Sequence, residues 1–418
     1  MCKVNFLNQT PQKLDEQDPL AQFRNSFYIP KSPHTNKECI YLAGHSLGLQ
    51  PKKAKKYIEQ ELEDWAMWGV EGHFHAQNPW VSYHELVTQP LANLLGAKPI
   101  EVVAMNTLTV NLHLMLVSFY QPTLVRHKIL FEENIFSSDL YALSSQAQLH
   151  GYDTNAALLK LRPRPSETCL HTEDILEVIE KNGSSIATVL LGQVNYFTGQ
   201  GFDIPAIVQA AHKKGCMVGL DLAHGIGNLA FKLHDWDVDF AVWCNYKYLN
   251  SGPGGLGGCF IHERYADKKN HHRLAGWWGH NKQARFKMEK EFDPIVGAEG
   301  WQISNPPIFQ LAALRASLEL FEKATIDALR EKSIKLTGYL EHLLKKQNLR
   351  IITPNDFQSR GAQLSVQVSQ DPQELVKKLN SKGVVCDYRH PNILRITPCP
   401  LYNSFEDVYQ FSEILKGI

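Results

Sequence analysis

The chain carries no net charge. Its 43 lysines and arginines are balanced by 43 aspartates and glutamates over 418 residues. A surface without that excess offers no electrostatic footprint for nucleic acid or for an anionic membrane. Also missing is any apolar run long enough to span a bilayer. The opening stretch MCKVNFLNQTPQKLDEQDPL mixes charges and amides with few apolar residues, so it reads neither as a signal peptide nor as a transit peptide. Cysteine is present but unorganised. The eight residues Cys2, Cys39, Cys169, Cys216, Cys244, Cys259, Cys386 and Cys399 form no CxxC pair, and several fall inside apolar, strand-like runs. That usage fits reduced, buried thiols in a cytoplasmic protein. The 18 histidines contain no HExxH and no Cys/His grouping with zinc spacing, so no metal site is expected. With these classes set aside, a small-molecule partner is the expectation.

The length predicts two or three packed units with a substantial core. From about residue 80 to 262 short apolar runs alternate with helical periodicity: EVVAMN (101–106), HKILFE (127–132), SIATVLLG (185–192), GCMVGLDLA (215–223), VDFAVWCN (238–245) and GGCFIHE (257–263). This alternation is the pattern of βα units. The runs are too continuously apolar for strands with one wet face, which predicts an α/β fold with a mostly parallel sheet covered by helices on both faces. Beyond residue 306 long helical patterns lead into a short αβ unit. The first 75 residues hold one helical pattern, PKKAKKYIEQELEDWAMWG, and too little apolar matter for a core. The expected division is a large domain over 76–312, with a smaller α+β domain built from 313–418 together with 1–75.

In an open parallel sheet, ligands bind beyond the carboxyl ends of the strands. Asp221 closes one apolar run with His224 three residues on, and Lys247 follows another, directly before the turn SGPGG. Thr107 and Thr109 stand where EVVAMN gives way to a helix, whose free N–H groups and dipole favour an anion. Each residue has an ordinary reading: a solvated loop lysine, a helix-capping aspartate, a hydrogen-bonded core histidine. Converging on one sheet edge, they point instead to a phosphorylated cofactor that needs an amine. Pyridoxal phosphate fits, because a desolvated lysine can bind it covalently, an acid can pair with its ring nitrogen, and a helix N-terminus can hold its phosphate. The stretch GPGGLGG is neither a Walker nor a Rossmann loop.

The segments YLAGHSLGLQP, MNTLTVNLHLMLVSFYQPT, LDLAHGIGN, WCNYKYLNSGPGG, GWWGH, RFKM, ISNPP and PCPLYNSF, in that order from about residue 20 to 418, resemble the kynureninase family. The resemblance implies a fold type I pyridoxal phosphate enzyme. It would hydrolyse kynurenine, or its 3-hydroxy form, to an anthranilate and alanine, in tryptophan catabolism and the supply of nicotinamide cofactors. It implies Lys247 as the covalent lysine and Asp221 as the partner of the ring nitrogen, with His224 supporting the ring. Phe136 would stack on the ring, beside Ser137, Ser138 and Asp139. Leu108, Thr109 and Tyr246 would reach the phosphate. Trp277 and Asn305 would reach it from a neighbouring subunit, which makes the protein a homodimer. Arg395 would bind the substrate carboxylate, with Ser46, His73, Ser304 and Asn305 also on the substrate side. His73, Ser304 and Asn305 lean toward the hydroxylated substrate. Three positions depart from the family pattern: Gly192 where serine is common, Phe197 where tyrosine is common, and Ser137 where proline is usual. The loss at Phe197 leaves Tyr196, Tyr246 or water to act as a proton donor. The rival readings are an aminotransferase or a cysteine desulfurase. The second needs a reactive cysteine over the cofactor, whereas Cys386 and Cys399 fall in strand-like segments.

Overall fold

A computed structural model describes residues 10–267 and 271–418. Cys2 lies outside them. In chain order the strands are β1 (Ile40–Tyr41), β2 (Val102–Met105), β3 (Lys128–Glu132), β4 (Leu158–Leu161), β5 (Ile186–Gly192), β6 (Met217–Asp221), β7 (Phe240–Cys244), β8 (Gly257–Ile261), β9 (Arg350–Ile351), β10 (Leu364–Gln367), β11 (Val384–Val385), β12 (Asp387–Arg389) and β13 (Ile393–Ile396). Seven of them form the main sheet in the order β2-β8-β7-β6-β5-β3-β4.

The six apolar runs anticipated as strands are all strands of this sheet. β4 was not anticipated. It is the edge strand, and its LLKL is mostly half-exposed, so it lacks the dense apolar character that marks its neighbours. The sheet is parallel except for β8, which runs against both β2 and β7. The reason lies in the connection. Residues 245–256 join β7 to β8 without a helix, and a link of that kind returns the chain antiparallel, whereas a parallel return takes a crossover.

Alternate residues along each strand feed two separate cores, as a period of two requires. Val102, Leu130, Val189, Leu220 and Trp243 face one core. Val103, Phe131, Leu190, Val242 and Cys259 face the other. Helices Leu108–Phe119 and Ser137–Leu149 cover the second face, and Glu85–Leu95, Thr172–Asn182 and Ile204–Lys213 the first. Because β2, β3, β5, β6 and β7 run in one direction, Met105, Glu132, Gly192, Asp221 and Cys244 all end at the same edge. That edge positions the site.

The C-terminal unit is an antiparallel sheet, β12-β13-β10-β9, backed by helices Ile326–Lys346, Pro372–Ser381 and Phe405–Lys416 around Leu340, Val366, Leu379, Leu394 and Phe411. Helix Ile308–Ala324 runs across the division placed after residue 312, and its Leu311, Leu314, Leu318 and Phe321 belong to the main core. The N-terminal segment ties into both units. β1 pairs with β11, the Asp15 carboxylate accepts the N–H groups of Phe405 and Glu406, and buried Asp18 pairs with Lys332 at 2.6 Å. Phe23, Phe27 and Leu49 reach the main core, and helix Lys52–Trp68 packs on Ile308–Ala324 through Ala54, Ala313 and Ala316.

Candidate active site

A cavity of about 270 Å³ opens at the carboxyl edge of the main sheet. Its walls include Leu108, Thr109, Phe136, Ser138, Asp139, Asp221, His224, Tyr246 and Lys247. These residues come from four separate segments, which the parallel strands deliver to one place.

Lys247 lies in the β7–β8 connection. Its Nζ makes no ion pair or hydrogen bond among the described residues, and sits 5.8 Å from the Phe136 ring centroid and 6.0 Å from that of Tyr246. The turn at 43–48 braces this loop: Gly48 N–H donates to the Tyr246 carbonyl at 2.9 Å, and a Cβ on Gly48 would stand 2.3 Å from the Lys247 carbonyl oxygen. Only glycine permits that approach. Ser46 sits on the same turn, exposed, and is not part of the cavity wall.

Asp221 ends β6, and its Oδ1 accepts the Ala223 N–H at 2.7 Å. Buried Asp139, in the first turn of helix Ser137–Leu149, has an Oδ1 with no hydrogen-bond partner. Burial, and next the charge of Asp221, pushes the Asp139 carboxyl well above its ordinary range. His224 is buried, with Nδ1 unpartnered, and burial followed by the Lys247 charge holds its imidazole well below the usual value. Helix Leu108–Phe119 begins at the cavity without a side-chain cap, and Thr109 Oγ1 lies 2.7 Å from Ser138 Oγ. The arrangement offers an amine, an acid pair, an uncapped helix start with two hydroxyls, and an aromatic face. Those are the groups that pyridoxal phosphate requires, and the unpartnered buried oxygens and imidazole nitrogen are partners waiting for a polar ligand.

The reading of individual residues missed part of the wall. Glu132, Val194 and Ala223 also line the cavity. Glu132 ends the apolar run HKILFE as Asp221 ends its own, so the signal was present and unused. Gly192 and Tyr196 line it too, whereas Phe197 does not; the Phe197 ring lies 6.3 Å from that of Tyr196. The phenols at the cavity are therefore those of Tyr196 and Tyr246. Tyr196 stands edge-on to Phe136, with centroids 5.3 Å apart, and its carbonyl accepts from Gln363 Nε2 and Arg395 Nη1, which pins it to the small domain.

Arg395 does not line the cavity. It lies fully buried behind Tyr196, its Nε donating to Asp387 Oδ1 at 2.8 Å and its Nη2 paired with the other oxygen of Asp387. His45 Nε2 sits 3.0 Å from Asp387. Burial opposes ionisation of Asp387, yet the bonds from His45 and Arg395 outweigh it and hold the carboxyl far below its usual range.

Ser137, His73, Trp277, Ser304 and Asn305 also lie outside the cavity, His73 half-buried and the others exposed. His73 Nδ1 bonds the Val70 carbonyl, and its ring stands against Trp80. Trp277 is 42% exposed, and its Nε1 donates to the Arg285 carbonyl. It belongs to an apolar surface in which Trp277, Phe286 and Phe74 touch in sequence.

Two groupings of histidine and carboxylate lie elsewhere. In one, Glu101 Oε1 takes N–H groups of His234 and Glu263, while His262 Nδ1 accepts from Arg264 N–H. In the other, Glu85 and Glu299 already hold the Lys282 ammonium, and His84 pairs with Glu299.

Residues 329–415 match the kynureninase C-terminal domain family. The whole sequence is similar to the kynureninase of Myxococcus xanthus, at 59% identity covering 97% of this chain and 96% of that one. It is similar to the rat kynureninase at 49% identity, covering 97% and 92% of the two chains. The fold is similar to that of the cystine C-S lyase C-DES (TM-score 0.76, 16% identity, 90% and 97% of the chains). It is also similar to that of the cysteine desulfurase CsdA of Escherichia coli (TM-score 0.75, 19% identity, 94% and 97%).

Proposed function

The chain belongs to the kynureninase family, and from that membership we propose how its residues divide the work of the reaction. The protein is a pyridoxal-phosphate-dependent hydrolase. It cleaves a carbon–carbon bond of kynurenine to give an anthranilate and alanine, a step of tryptophan catabolism. One observation carries the assignment of roles: separate strand ends bring Lys247, Asp221 and the start of helix Leu108–Phe119 to one cavity.

When bound, pyridoxal phosphate supplies the electron sink for the substrate's α-carbanion. Lys247 Nζ would hold the cofactor, and its amine would move the substrate's α-proton. Asp221 would pair with the ring nitrogen and keep it protonated, with Asp139 beside it, and His224 would support the ring. Phe136 would stack on the ring. The N–H groups at Leu108 and Thr109, the hydroxyls of Thr109 and Ser138, and Tyr246 hold the phosphate. With Phe197 lacking a hydroxyl, Tyr196 and Tyr246 are the phenols able to deliver a proton. Arg395 binds the substrate carboxylate with the N–H groups that Asp387 and Tyr196 leave open, and Asp387 with His45 fixes its plane.

Trp277 and Asn305 complete the site of a second copy in a homodimer. The exposed apolar run Trp277, Phe286 and Phe74, with Trp65, Met67 and Trp68 also exposed, supports that reading, since monomers rarely leave such surface open. Near it, His73, Ser304 and Asn305 favour the 3-hydroxylated substrate, because polar groups there can meet the added hydroxyl. We place the protein in the cytoplasm, where its free thiols Cys39, Cys169, Cys216, Cys244, Cys259, Cys386 and Cys399 would stay reduced. No helix among the described residues is long and apolar enough to cross a membrane.

The test is the absorbance spectrum of the purified protein with pyridoxal phosphate, before and after adding 3-hydroxykynurenine, with product fluorescence followed in the same cuvette. A visible cofactor band and release of a fluorescent hydroxyanthranilate are expected. A band without that product would send the reaction back to the aminotransferase or desulfurase classes. The desulfurase class finds no support at the site, since no cysteine lines the cavity and Cys386 and Cys399 are buried.

A further inference from the structure

The division of roles leaves one buried acid at the cavity without a task. Glu132 closes β3, is 3% exposed, and lines the cavity together with Asp139 and Asp221. Its two oxygens are used differently. Oε1 accepts from Asn195 Nδ2 at 3.2 Å, and the carboxyl also takes the Gly192 N–H. A Cβ at position 192 would stand 3.0 Å from this oxygen, so the glycine leaves the carboxyl room. These bonds tie the 192–195 turn to the sheet. Oε2 is buried and has no hydrogen-bond partner.

A glutamine would serve the turn equally well, because its side-chain oxygen accepts the same bonds without burying an acid. The second oxygen is what a purely structural role does not explain. The charged groups around it are Asp221 from the end of β6, Asp139 from helix Ser137–Leu149 and, beyond them, Lys247 from the β7–β8 connection. Three carboxyls share this small buried space with one amine, so a charge on any one of them opposes a charge on the next. Burial first, and the Asp221 charge after it, pushes Glu132 up to about 8.

We propose that Glu132 is a positioning residue of the active site, whose carboxyl sets how much negative charge the Asp139–Asp221 pair facing the cofactor can carry. The inference rests on the reading of this cavity as the pyridoxal phosphate site. Glu132 acts through the two aspartates and does not itself touch the cofactor.

The test titrates the absorbance of the bound cofactor from acid to alkaline pH in the wild type, Glu132→Gln and Glu132→Asp, with circular dichroism to confirm folding. As pH rises, Glu132 gains a negative charge, which favours the protonated form of the cofactor and raises the spectral midpoint. Glutamine never ionises, so the midpoint of Glu132→Gln should fall by about one unit or more. Should that variant not fold, Glu132→Asp decides, because drawing the carboxyl back by one methylene must also move the midpoint. An unchanged midpoint in the folded variants would overturn the inference and leave Glu132 as a structural residue. A wild-type protein that binds no cofactor would overturn the reading of the cavity, and the inference with it.

Discussion

The stability of the cofactor-free protein tests the acid at the floor of the cavity independently of any spectrum. Glu132 has an ordinary value of 4.5 and is raised by burial to about 8. A carboxyl raised on folding contributes stability that is complete below its unfolded value and is lost as pH climbs through the folded one. At about 1.4 kcal/mol per unit, the loss reaches about 2 kcal/mol at pH 6 and about 4 kcal/mol at pH 8. Because the group is fully buried, solvent screening does not reduce this. Glu132→Gln keeps the acceptor for Asn195 and removes the ionisation. Its stability relative to the wild type should therefore rise by about 2 kcal/mol between pH 6 and pH 8. The assay is urea unfolding of both apoproteins at the two pH values, followed by tryptophan fluorescence. A stability difference that does not change with pH would refute the reasoning, since a carboxyl that folds ionised contributes no such slope.

Lys247→Ala should abolish turnover, measured as anthranilate release, while leaving the melting temperature of the apoprotein within a few degrees of wild type. Gly48→Ala places a Cβ 2.3 Å from the Lys247 carbonyl and 2.2 Å from Asn250 Oδ1. It should cost about 1–3 kcal/mol in a thermal melt and lower kcat/KM at least about tenfold, because the displaced loop carries the covalent lysine. Mixing Lys247→Ala with Trp277→Ala subunits tests the shared site. Random reassortment of a dimer restores one intact site in half of the dimers, so activity should return to about a quarter of wild type; no recovery on mixing would place Trp277 in its own subunit's site or in none. His73→Ala should lower the kcat/KM ratio of 3-hydroxykynurenine to kynurenine, and an unchanged ratio would remove His73 from the substrate pocket.

The sheet was legible because its chemistry is dense and local. Strands buried on both faces must be continuously apolar, and all six such runs are strands. The edge strand β4 escaped because a half-exposed strand is under no such pressure. Lys247, Asp221, His224 and the helix start at Leu108 were legible for a related reason: a parallel sheet turns position after a strand into position in space. Arg395 follows a different logic. Its partner Asp387 is 8 residues away in the chain and His45, which bonds that Asp387, is 350 away, and no pattern along the sequence announces that they meet. The surface residues His73, Trp277, Ser304 and Asn305 carry no local signature either, and resemblance alone singled them out.

The cavity holds more polar matter than the folded chain can satisfy by itself. Asp139 Oδ1 and His224 Nδ1 are buried without hydrogen-bond partners within one small space. Each such group costs about 1–3 kcal/mol when left unpaired. Retaining them is consistent with a ligand that supplies the missing partners, and pyridoxal phosphate, with its ring nitrogen and polar substituents, is of that kind. The same argument explains why the acids sit on strand and helix ends rather than on loops. Groups that repel one another, and would turn away if free, stay aimed at the ligand only when rigid elements hold them there. Binding of the cofactor should therefore raise the melting temperature by more than occupancy of a pre-satisfied pocket would. Glu132→Gln, which relieves part of the repulsion in advance, should show a smaller rise on loading than the wild type at pH 8. An equal or larger rise in the variant would mean that the acids do not oppose one another in the empty site.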